Sequence, residues 1–340
     1  MTGTLTLPGF VSAHGHAFQR ALRGRAAGGD FWEWRDAMLA EADGLTPERV
    51  RSVYAATYRE LLAAGYTAVG EFHYVGQAEA RAAVEAAGEA GIELVLLLAA
   101  YGRGGLARFR DASPAAYLRR LEELRESGAR VGVAPHSVRA CPPDWLSELG
   151  RYAERERLVL HVHADEQPHE VEECLAEYGR RPVELLAERG CLGPRTTVVH
   201  ATHADDRELD LLAEAGARVC LCPTTEANLG DGFPRVEALL ERGIELCIGS
   251  DSNVRIDPLE ELRELEGIAR RQALRRHVIP LDGLLAIGSE NGVAALGLDA
   301  CPEIAVDLGH RSLAGVAAAD VPAALVLGCG ADVFLARGTE

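Results

Sequence analysis

The sequence predicts an α/β fold of the (β/α)8 barrel type, with a small, reduced accessory β element from the chain ends. Eight β-like runs alternate with helix-like runs, and several of them, such as TTVVH and LVLHV, are apolar on both faces. Strands with two apolar faces are typical of a parallel sheet covered by helices. Polar side chains follow many of these strands, at the end of a barrel where functional sites are found.

The eight strands and the helices between them can be assigned in chain order. We predict strands near residues 8–13, 67–73, 92–99, 130–135, 158–163, 196–200, 218–222 and 244–249. An N-cap residue followed by proline favours a helix start at Thr46-Pro47, Ser113-Pro114 and Asp257-Pro258. Glycine favours a helix end at Gly65, Gly91, Gly128 and Gly216.

The βα alternation ends near Ala300, where the segments EIAVDL and AALVLG are β-like. We therefore predict that residues 8–299 form the barrel. Residues 1–7 and 300–340 would form the accessory β element. A chain of 340 residues is compatible with one large domain, since α/β barrels exceed the usual domain length.

Composition excludes several kinds of partner. Lys and Arg total 35 against 52 Asp and Glu, a net charge of −17, so the chain repels nucleic acid and anionic membranes. The eight cysteines have no regular short spacing and the first ten residues lack a signal-peptide pattern, so we expect a cytoplasmic protein. The most apolar run, residues 92–100, is too short to span a bilayer.

Three predicted strands end on metal-ligand side chains. His14 and His16 follow PGFVSA, His161 and His163 follow LVL, and Asp251 follows ELCIGS. Because strand side chains alternate between faces, each His-x-His pair points both imidazoles the same way. Imidazole and carboxylate suit a divalent transition metal, and the same donors serve zinc, iron and manganese. The pattern predicts a metal-dependent hydrolase site.

Further polar residues follow the other strands: Glu71, His73, Tyr74, His136, Arg139, Glu166, His200 and His203. A barrel stabilised only by packing would carry Val, Ile or Leu at most such positions. We choose His200 over His203 because it stands at the strand end. His163 is chosen as the ligand over His161, which we expect to pack beneath the metal or to orient a ligand.

Two other groups of residues receive a structural interpretation. Cys220 and Cys222 share one face of their strand, but no second pair lies near them in sequence, so we interpret them as buried thiols. Trp32 and Trp34 flank Glu33 in FWEWRDAM. We expect them to anchor a helix over the site rather than to stack on a ligand.

Eight motifs resemble, in order, those of the N-formimidoyl-L-glutamate deiminases of histidine degradation, a family of the amidohydrolase superfamily. They are PGFVSAHGHAFQRALRG, FWEWRDAM, GEFHYV, APHSVRA, HVHADEQ, VVHATH, TTEANLGDG and GSDSN. The resemblance covers about residues 7–253 and is specific, because HAFQR, FWEWR and PHSVR are not general features of metal hydrolases. It also implies a homodimer. Only MTGTLTL precedes the first motif, so we expect the accessory element to be incomplete.

The resemblance implies one zinc ion held by His14, His16, His163 and Asp251. It implies that protons are handled by Glu166 and His200, and the chemistry of a metal-bound water adds a proton-accepting role for Asp251. The carboxylates of the substrate would be bound by Gln19, Arg35, Tyr74, His136 and Arg139. The implied reaction is hydrolysis of N-formimidoyl-L-glutamate to N-formyl-L-glutamate and ammonia.

Two alternative functions stay open. Another deaminase of the same superfamily, acting on a guanidino or imino acid or on a nucleobase, would keep the ligands and change the pocket. A neutral nucleobase would leave Arg35 and Arg139 without partners. A non-catalytic metal-binding barrel would not need proton-transferring residues, whereas Glu166 and His200 are both present.

Overall fold

Residues 3–25 and 28–335 are described by the computed structural model, and a parallel eight-stranded sheet forms its centre. After β1 (Thr4–Pro8), the sheet strands follow in chain order: β2 (Phe10–Gly15), β3 (Tyr66–His73), β4 (Glu93–Ala100), β5 (Val131–Pro135), β6 (Leu160–Ala164), β7 (Thr196–His200), β8 (Arg218–Leu221) and β9 (Leu246–Ile248). Each strand pairs in parallel with the next. The predicted (β/α)8 fold class is confirmed.

Helices connect the strands and cover the outside of the sheet. They are α1 (Phe31–Asp43), α2 (Pro47–Ala63), α3 (Gln77–Ala90), α4 (Pro114–Glu126), α5 (Pro143–Glu156), α6 (Pro168–Tyr178), α7 (Pro182–Glu188), α8 (Asp206–Ala215), α9 (Pro223–Leu229), α10 (Val236–Glu241), α11 (Pro258–Ala273), α12 (Leu281–Gly288), α13 (Glu290–Ala295) and α14 (Val321–Gly328). The side chains of Thr46, Ser113 and Asp257 accept hydrogen bonds from the first turns of α2, α4 and α11. The three predicted helix starts are therefore confirmed.

The barrel closes between its first and last strands through the main chain of Asp251. The Asp251 amide donates to the His14 carbonyl at 3.1 Å, and the His16 amide donates to the Asp251 carbonyl at 2.8 Å. Gly249 permits this approach, since a Cβ atom there would lie 2.6 Å from the His14 carbonyl oxygen. Closure therefore brings the last strand against the first His-x-His pair.

Short antiparallel pairing joins the two ends of the described chain. β1 pairs with β10 (Glu303–Asp307), from Thr4 opposite Asp307 to Pro8 opposite Glu303. Residues 1–2 and 336–340 of the predicted accessory element lie outside the described residues, and the domain boundary near residue 300 stays a prediction. Among the residues that the structure covers, no helix has both the length and the apolar character needed to cross a membrane.

The β-like interpretation of AALVLG is wrong, because these residues belong to α14. Pro322 stands in the first turn of that helix, where its missing N–H costs nothing, and Ala and Leu are strong helix formers. Leu325 and Val326 are fully buried, and α14 packs against α11. A short apolar run is compatible with a buried helix as well as with a strand. Here the run forms a helix whose apolar side chains are buried against α11.

Candidate active site

Four side chains converge where the barrel closes. His14 and His16 extend from β2, His163 from β6, and Asp251 follows β9. The Nε2 atoms of His14 and His163 lie 3.0 Å apart, and Asp251 Oδ1 lies 3.5 Å from His14 Nε2 and 3.4 Å from His16 Nε2. Tetrahedral zinc ligands about 2.0–2.1 Å from the metal lie about 3.3 Å from one another. The spacing of these donors therefore matches a common metal ion.

Hydrogen bonds to main-chain carbonyls indicate how two of the imidazoles are protonated. His16 Nδ1 lies 2.9 Å from the Phe72 carbonyl oxygen, and His163 Nδ1 lies 3.0 Å from that of His136. A carbonyl can only accept, so each Nδ1 donates and each neutral ring keeps a lone pair on Nε2. The Nε2 lone pair of His16 and the Asp251 carboxylate therefore face each other at 3.4 Å with no proton between them. A cation would satisfy both, so the donor set fits the implied metal.

Burial keeps these imidazoles neutral. It lowers the pKa of His14 and of His163 well below the ordinary value, and the neighbouring histidines add to the effect. Burial also lowers the pKa of His16, although Asp251 opposes the shift. Neutral imidazole is the form that binds a metal, so no proton must leave these rings first.

His200 lies beside the four donors in a strongly acidic environment. Its Nδ1 is 3.2 Å from Glu226 Oε1, and its Nε2 is 3.8 Å from Glu166 Oε1 and 3.9 Å from Asp251 Oδ2. Burial lowers the pKa of His200, but Glu166, Glu226 and Asp251 outweigh it and raise the value to about 10. These carboxylates therefore favour the protonated, cationic form of His200.

Several non-glycine residues at these strand ends have left-handed backbone conformations. The φ angles are 56° at Asp165, 74° at His200, 52° at Ala201, 39° at Asp251 and 54° at Asn253. Such conformations cost energy for residues with a Cβ atom and are concentrated at functional sites. Here the backbone departs from the strand direction where the side chains converge.

A cavity of about 270 Å³ opens above this cluster. It is lined by every predicted site residue except His14, namely His16, Gln19, Arg35, Tyr74, His136, Arg139, His163, Glu166, His200 and Asp251. His14 lies beneath the cavity and is fully buried. A concave pocket with convergent polar groups and shifted pKa values has the properties of an active site.

Two arginines make the outer part of the cavity cationic. Arg35 on α1 has no carboxylate partner among the described residues, and its guanidinium carbon lies 5.9 Å from the centre of the Trp32 ring. Arg139 Nη2 and Nε lie 3.6 Å from carboxylate oxygens of Glu166 and Glu170, which is too long for a good hydrogen bond. Both guanidinium groups therefore keep donors for an anionic ligand.

Neutral hydrogen-bonding groups lie between the arginines and the metal ligands. Gln19 Nε2 donates to the Tyr74 hydroxyl at 3.1 Å, while Gln19 Oε1 is buried without a partner in the described chain. Burial, followed by the charges of Arg139, His16 and Arg35, lowers the pKa of His136 well below its ordinary value. The cavity thus offers an unused acceptor and a neutral imidazole.

The other histidines in these motifs lie outside the cavity. His161 is fully buried, and its Nε2 lies 2.9 Å from the Ala295 carbonyl oxygen. His203 Nε2 lies 2.7 Å from the Asp231 carbonyl oxygen. His161 and His203 therefore support the main chain. Trp32 and Trp34, which we expected to anchor a helix over the site rather than to stack on a ligand, stand on α1 and line the cavity.

Sequence reasoning missed three residues of the site. Glu226 was quoted within TTEANLGDG but received no role, although a carboxylate one turn after a barrel strand can fold back onto the strand end. Its Oε1 also accepts from the Cys222 amide at 2.9 Å. Tyr101 and Arg103 follow β4 and line the cavity. The sequence feature that could have indicated them is the loop YGRGG, which follows a barrel strand directly and carries an arginine among glycines.

Residues 5–304 match the amidohydrolase family. The chain belongs to the amidohydrolase family. It is 40% identical over 324 residues to a formimidoylglutamate deiminase of Pseudomonas aeruginosa. The matched region covers 86% of this chain and 71% of that protein. It is also 32% identical over 311 residues to a 5-methylthioadenosine/S-adenosylhomocysteine deaminase of Natronomonas pharaonis, covering 88% of this chain and 70% of that one.

Solved structures agree with this membership. An amidohydrolase from Brucella melitensis is 32% identical and superposes with a TM-score of 0.88. The superposition covers 98% of this chain and 85% of the Brucella chain. An adenosine deaminase from Xanthomonas campestris with bound zinc shares the fold. It is 24% identical, with a TM-score of 0.89, and the superposition covers 97% of this chain and 78% of the deaminase chain. This amidohydrolase is thus a metal-dependent hydrolase of C–N bonds, so the non-catalytic alternative is wrong.

Proposed function

We propose that this amidohydrolase hydrolyses N-formimidoyl-L-glutamate to N-formyl-L-glutamate and ammonia, a step of histidine degradation. The observation that carries the proposal is the presence of Arg35 and Arg139 in the same cavity as the His and Asp cluster. A dicarboxylate would neutralise both guanidinium groups inside a chain whose net charge is −17. The 40% identity to a formimidoylglutamate deiminase supports the same substrate.

We assign the metal position to His14, His16, His163 and Asp251, and we propose one zinc ion there, with iron or manganese as possible substitutes for the same donors. A bound zinc ion supplies hydroxide near neutral pH, because it lowers the pKa of water from about 15.7 to about 7. Asp251 accepts the proton that this water loses. Its Oδ2 lies 3.9 Å from His200 Nε2, so the proton acceptor lies beside the imidazole of His200.

Glu166 delivers a proton to the nitrogen that leaves as ammonia. Addition of hydroxide to the formimino carbon forms a C–O bond and turns the C=N double bond into a single bond. The bond to the departing nitrogen then breaks as that nitrogen takes up a proton, and the new hydroxyl loses its proton to give the formyl C=O group and ammonia. Glu166 extends into the cavity three residues after His163, and its Oε1 lies 3.8 Å from His200 Nε2. His200 stabilises the negative charge on the oxygen and nitrogen atoms bound to the reacting carbon.

Binding of the substrate uses the outer cavity. Arg35 and Arg139 each bind one carboxylate through paired N–H donors, and Tyr74 and His136 add neutral hydrogen bonds. Gln19 Oε1, which has no hydrogen-bond partner among the described residues, accepts an N–H of the formimino group. This arrangement directs the formimino carbon toward the metal ligands.

A nucleoside deaminase is the second candidate, because relatives about 30% identical are 5-methylthioadenosine/S-adenosylhomocysteine deaminases. Trp34, Tyr74 and Tyr101 line the cavity and could stack on a purine. A neutral purine would nevertheless leave the Arg35 guanidinium without an anionic partner among the described residues, and Arg139 with only the long 3.6 Å contacts to Glu166 and Glu170. Electrostatics therefore favours the glutamate derivative.

A substrate panel tests the proposal. The zinc-loaded enzyme is incubated with N-formimidoyl-L-glutamate, an N-guanidino acid and 5-methylthioadenosine, and ammonia release and metal content are measured. We expect ammonia from N-formimidoyl-L-glutamate and one metal ion per chain. His163→Asn should lose both, whereas His169→Asn, an exposed histidine on α6, should keep both. Ammonia from the nucleoside alone would contradict the proposal.

A further inference from the structure

A second set of metal-binding atoms lies against the four-ligand centre. His200, Cys222 and Asp251 each offer a ligand atom, and these three atoms lie within 4.8 Å of one another. All three side chains are buried, and Cys222 is completely inaccessible. Of the three, only Asp251 also belongs to the four-ligand centre.

Glu226 orients two members of this set at once. Its Oε1 accepts from the Cys222 amide at 2.9 Å and lies 3.2 Å from His200 Nδ1. A carboxylate bound to one nitrogen of a histidine fixes the ring so that the other nitrogen can bind a metal. His200 Nε2 is thereby left facing Asp251, and the His200 ring and the Cys222 main chain are held in place before any ion arrives.

The other oxygen of Glu226 adds negative charge beside these donors. Glu226 is 1% exposed, and its Oε2 has no hydrogen-bond partner in the part of the chain that the structure describes. A buried carboxylate oxygen without a partner is costly, and a nearby positive charge lowers that cost. Together with Asp251, it makes the surroundings of the Cys222 sulfur strongly negative.

We propose that Cys222, His200 and Asp251 form a second cation site, which takes a thiophilic divalent ion such as Cd²⁺ or Zn²⁺ in excess. The sulfur ligand distinguishes this site from the four-ligand centre, whose donors are nitrogen and oxygen. Soft ions prefer thiolate, so they should select the second site. Binding releases the proton of the Cys222 thiol and the Nε2 proton of His200 to solvent as the sulfur–metal and nitrogen–metal bonds form.

Occupation of this site should inhibit hydrolysis. An ion bound to His200 and Asp251 removes the two groups to which the proposed function assigns charge stabilisation and proton acceptance. This consequence rests on the proposed function, whereas binding of the ion does not. The two can therefore be measured separately, one by spectroscopy and the other by ammonia release.

The experiment titrates the zinc-loaded enzyme with Cd²⁺ and follows the ultraviolet sulfur-to-cadmium charge-transfer absorption. We expect the absorption to appear in the unsubstituted enzyme and to be lost in Cys222→Ser. Cys191→Ser is the matched control, because this buried thiol donates to the Leu146 carbonyl, outside the proposed site, and should leave the absorption unchanged. Cd²⁺ should inhibit Cys222→Ser at least about tenfold less strongly than the unsubstituted enzyme.

Either of two results would overturn the proposal: no sulfur-to-cadmium absorption in the unsubstituted enzyme, or an absorption that persists in Cys222→Ser. If Cys222→Ser does not fold, the double variant Cys220→Ser/Cys247→Ser decides. It keeps the absorption if Cys222 is the ligand and loses it if the other two thiols bind the ion. A failed substrate panel would leave this spectroscopic result unaffected, so the two proposals fail separately.

Discussion

Glu226 Oε1 lies 3.2 Å from His200 Nδ1, and both side chains are 1% exposed. The contact fixes which nitrogen of His200 faces the cavity. Glu226→Gln keeps the size of the side chain but removes the charge that orients and stabilises the imidazolium. We expect kcat for ammonia release to fall about 10–100-fold.

Steady-state kinetics with the substrate that the panel identifies measures this effect. Glu241→Gln, an exposed carboxylate at the end of α10, is the control and should leave kcat unchanged. An unchanged kcat in Glu226→Gln would mean that His200 is oriented by other contacts.

Arg139→Met should raise KM for an anionic substrate by at least about tenfold, because a hydrogen bond to a charged group contributes about 1.5–3 kcal/mol. Methionine keeps part of the apolar volume of the side chain but offers no donors. Arg119→Met, at an exposed position on α4, is the matched control and should leave KM unchanged. If KM for N-formimidoyl-L-glutamate does not change, Arg139 does not bind the substrate.

His161→Phe separates the two roles that the sequence left open for His161. The substitution leaves the Ala295 carbonyl without its donor, so we expect the free energy of unfolding to fall by about 1–3 kcal/mol. Metal content should stay the same, because His161 binds the main chain and not a ligand. Urea denaturation and metal analysis measure the two quantities. A loss of metal would show that His161 supports the metal site.

Glu71 should make stability depend on pH. Burial raises the pKa of Glu71 to about 8 from its ordinary 4.5, although hydrogen bonds from the Ala17 amide and the Tyr58 hydroxyl oppose the shift. The folded state therefore keeps a proton that the unfolded chain loses, and the free energy of unfolding falls as pH rises from about 4.5 to about 8. Glu71→Gln cannot lose this proton.

Denaturation at several pH values checks this prediction. The stability of Glu71→Gln relative to the unsubstituted protein should increase steadily between those two pH values. Glu241→Gln should follow the unsubstituted protein throughout. A constant difference between Glu71→Gln and the unsubstituted protein would show that Glu71 titrates normally.

The sequence predicted the barrel well because each signal was local. Strand ends, the N-caps at Thr46, Ser113 and Asp257, and the alternation of faces in His14-Gly15-His16 depend on neighbours within a few residues. The resemblance to a known family then supplied residues such as Gln19 and Arg35, whose position in the cavity could not be read from spacing.

What the sequence could not predict depends on contacts between distant segments. Glu226 was overlooked because its partner His200 stands on a different strand. The hydrophobic pattern of the sequence carries no information about which distant residue a polar side chain contacts. Cys222 was interpreted as a buried thiol, which its burial supports, but its neighbours His200 and Asp251 are known only from the folded chain. The helix α14 was misread because a short apolar segment has no diagnostic period.

The main-chain hydrogen bonds between β2 and Asp251, which close the barrel, have a consequence for synthesis of the protein. His14 and His16 leave the ribosome early, whereas Asp251, whose main chain bonds to both of them, leaves more than two hundred residues later. A nascent chain that stops before this point carries imidazoles but neither the aspartate nor the last strand. Capture of the metal and completion of the barrel are therefore coupled, and truncated products should retain the ion poorly.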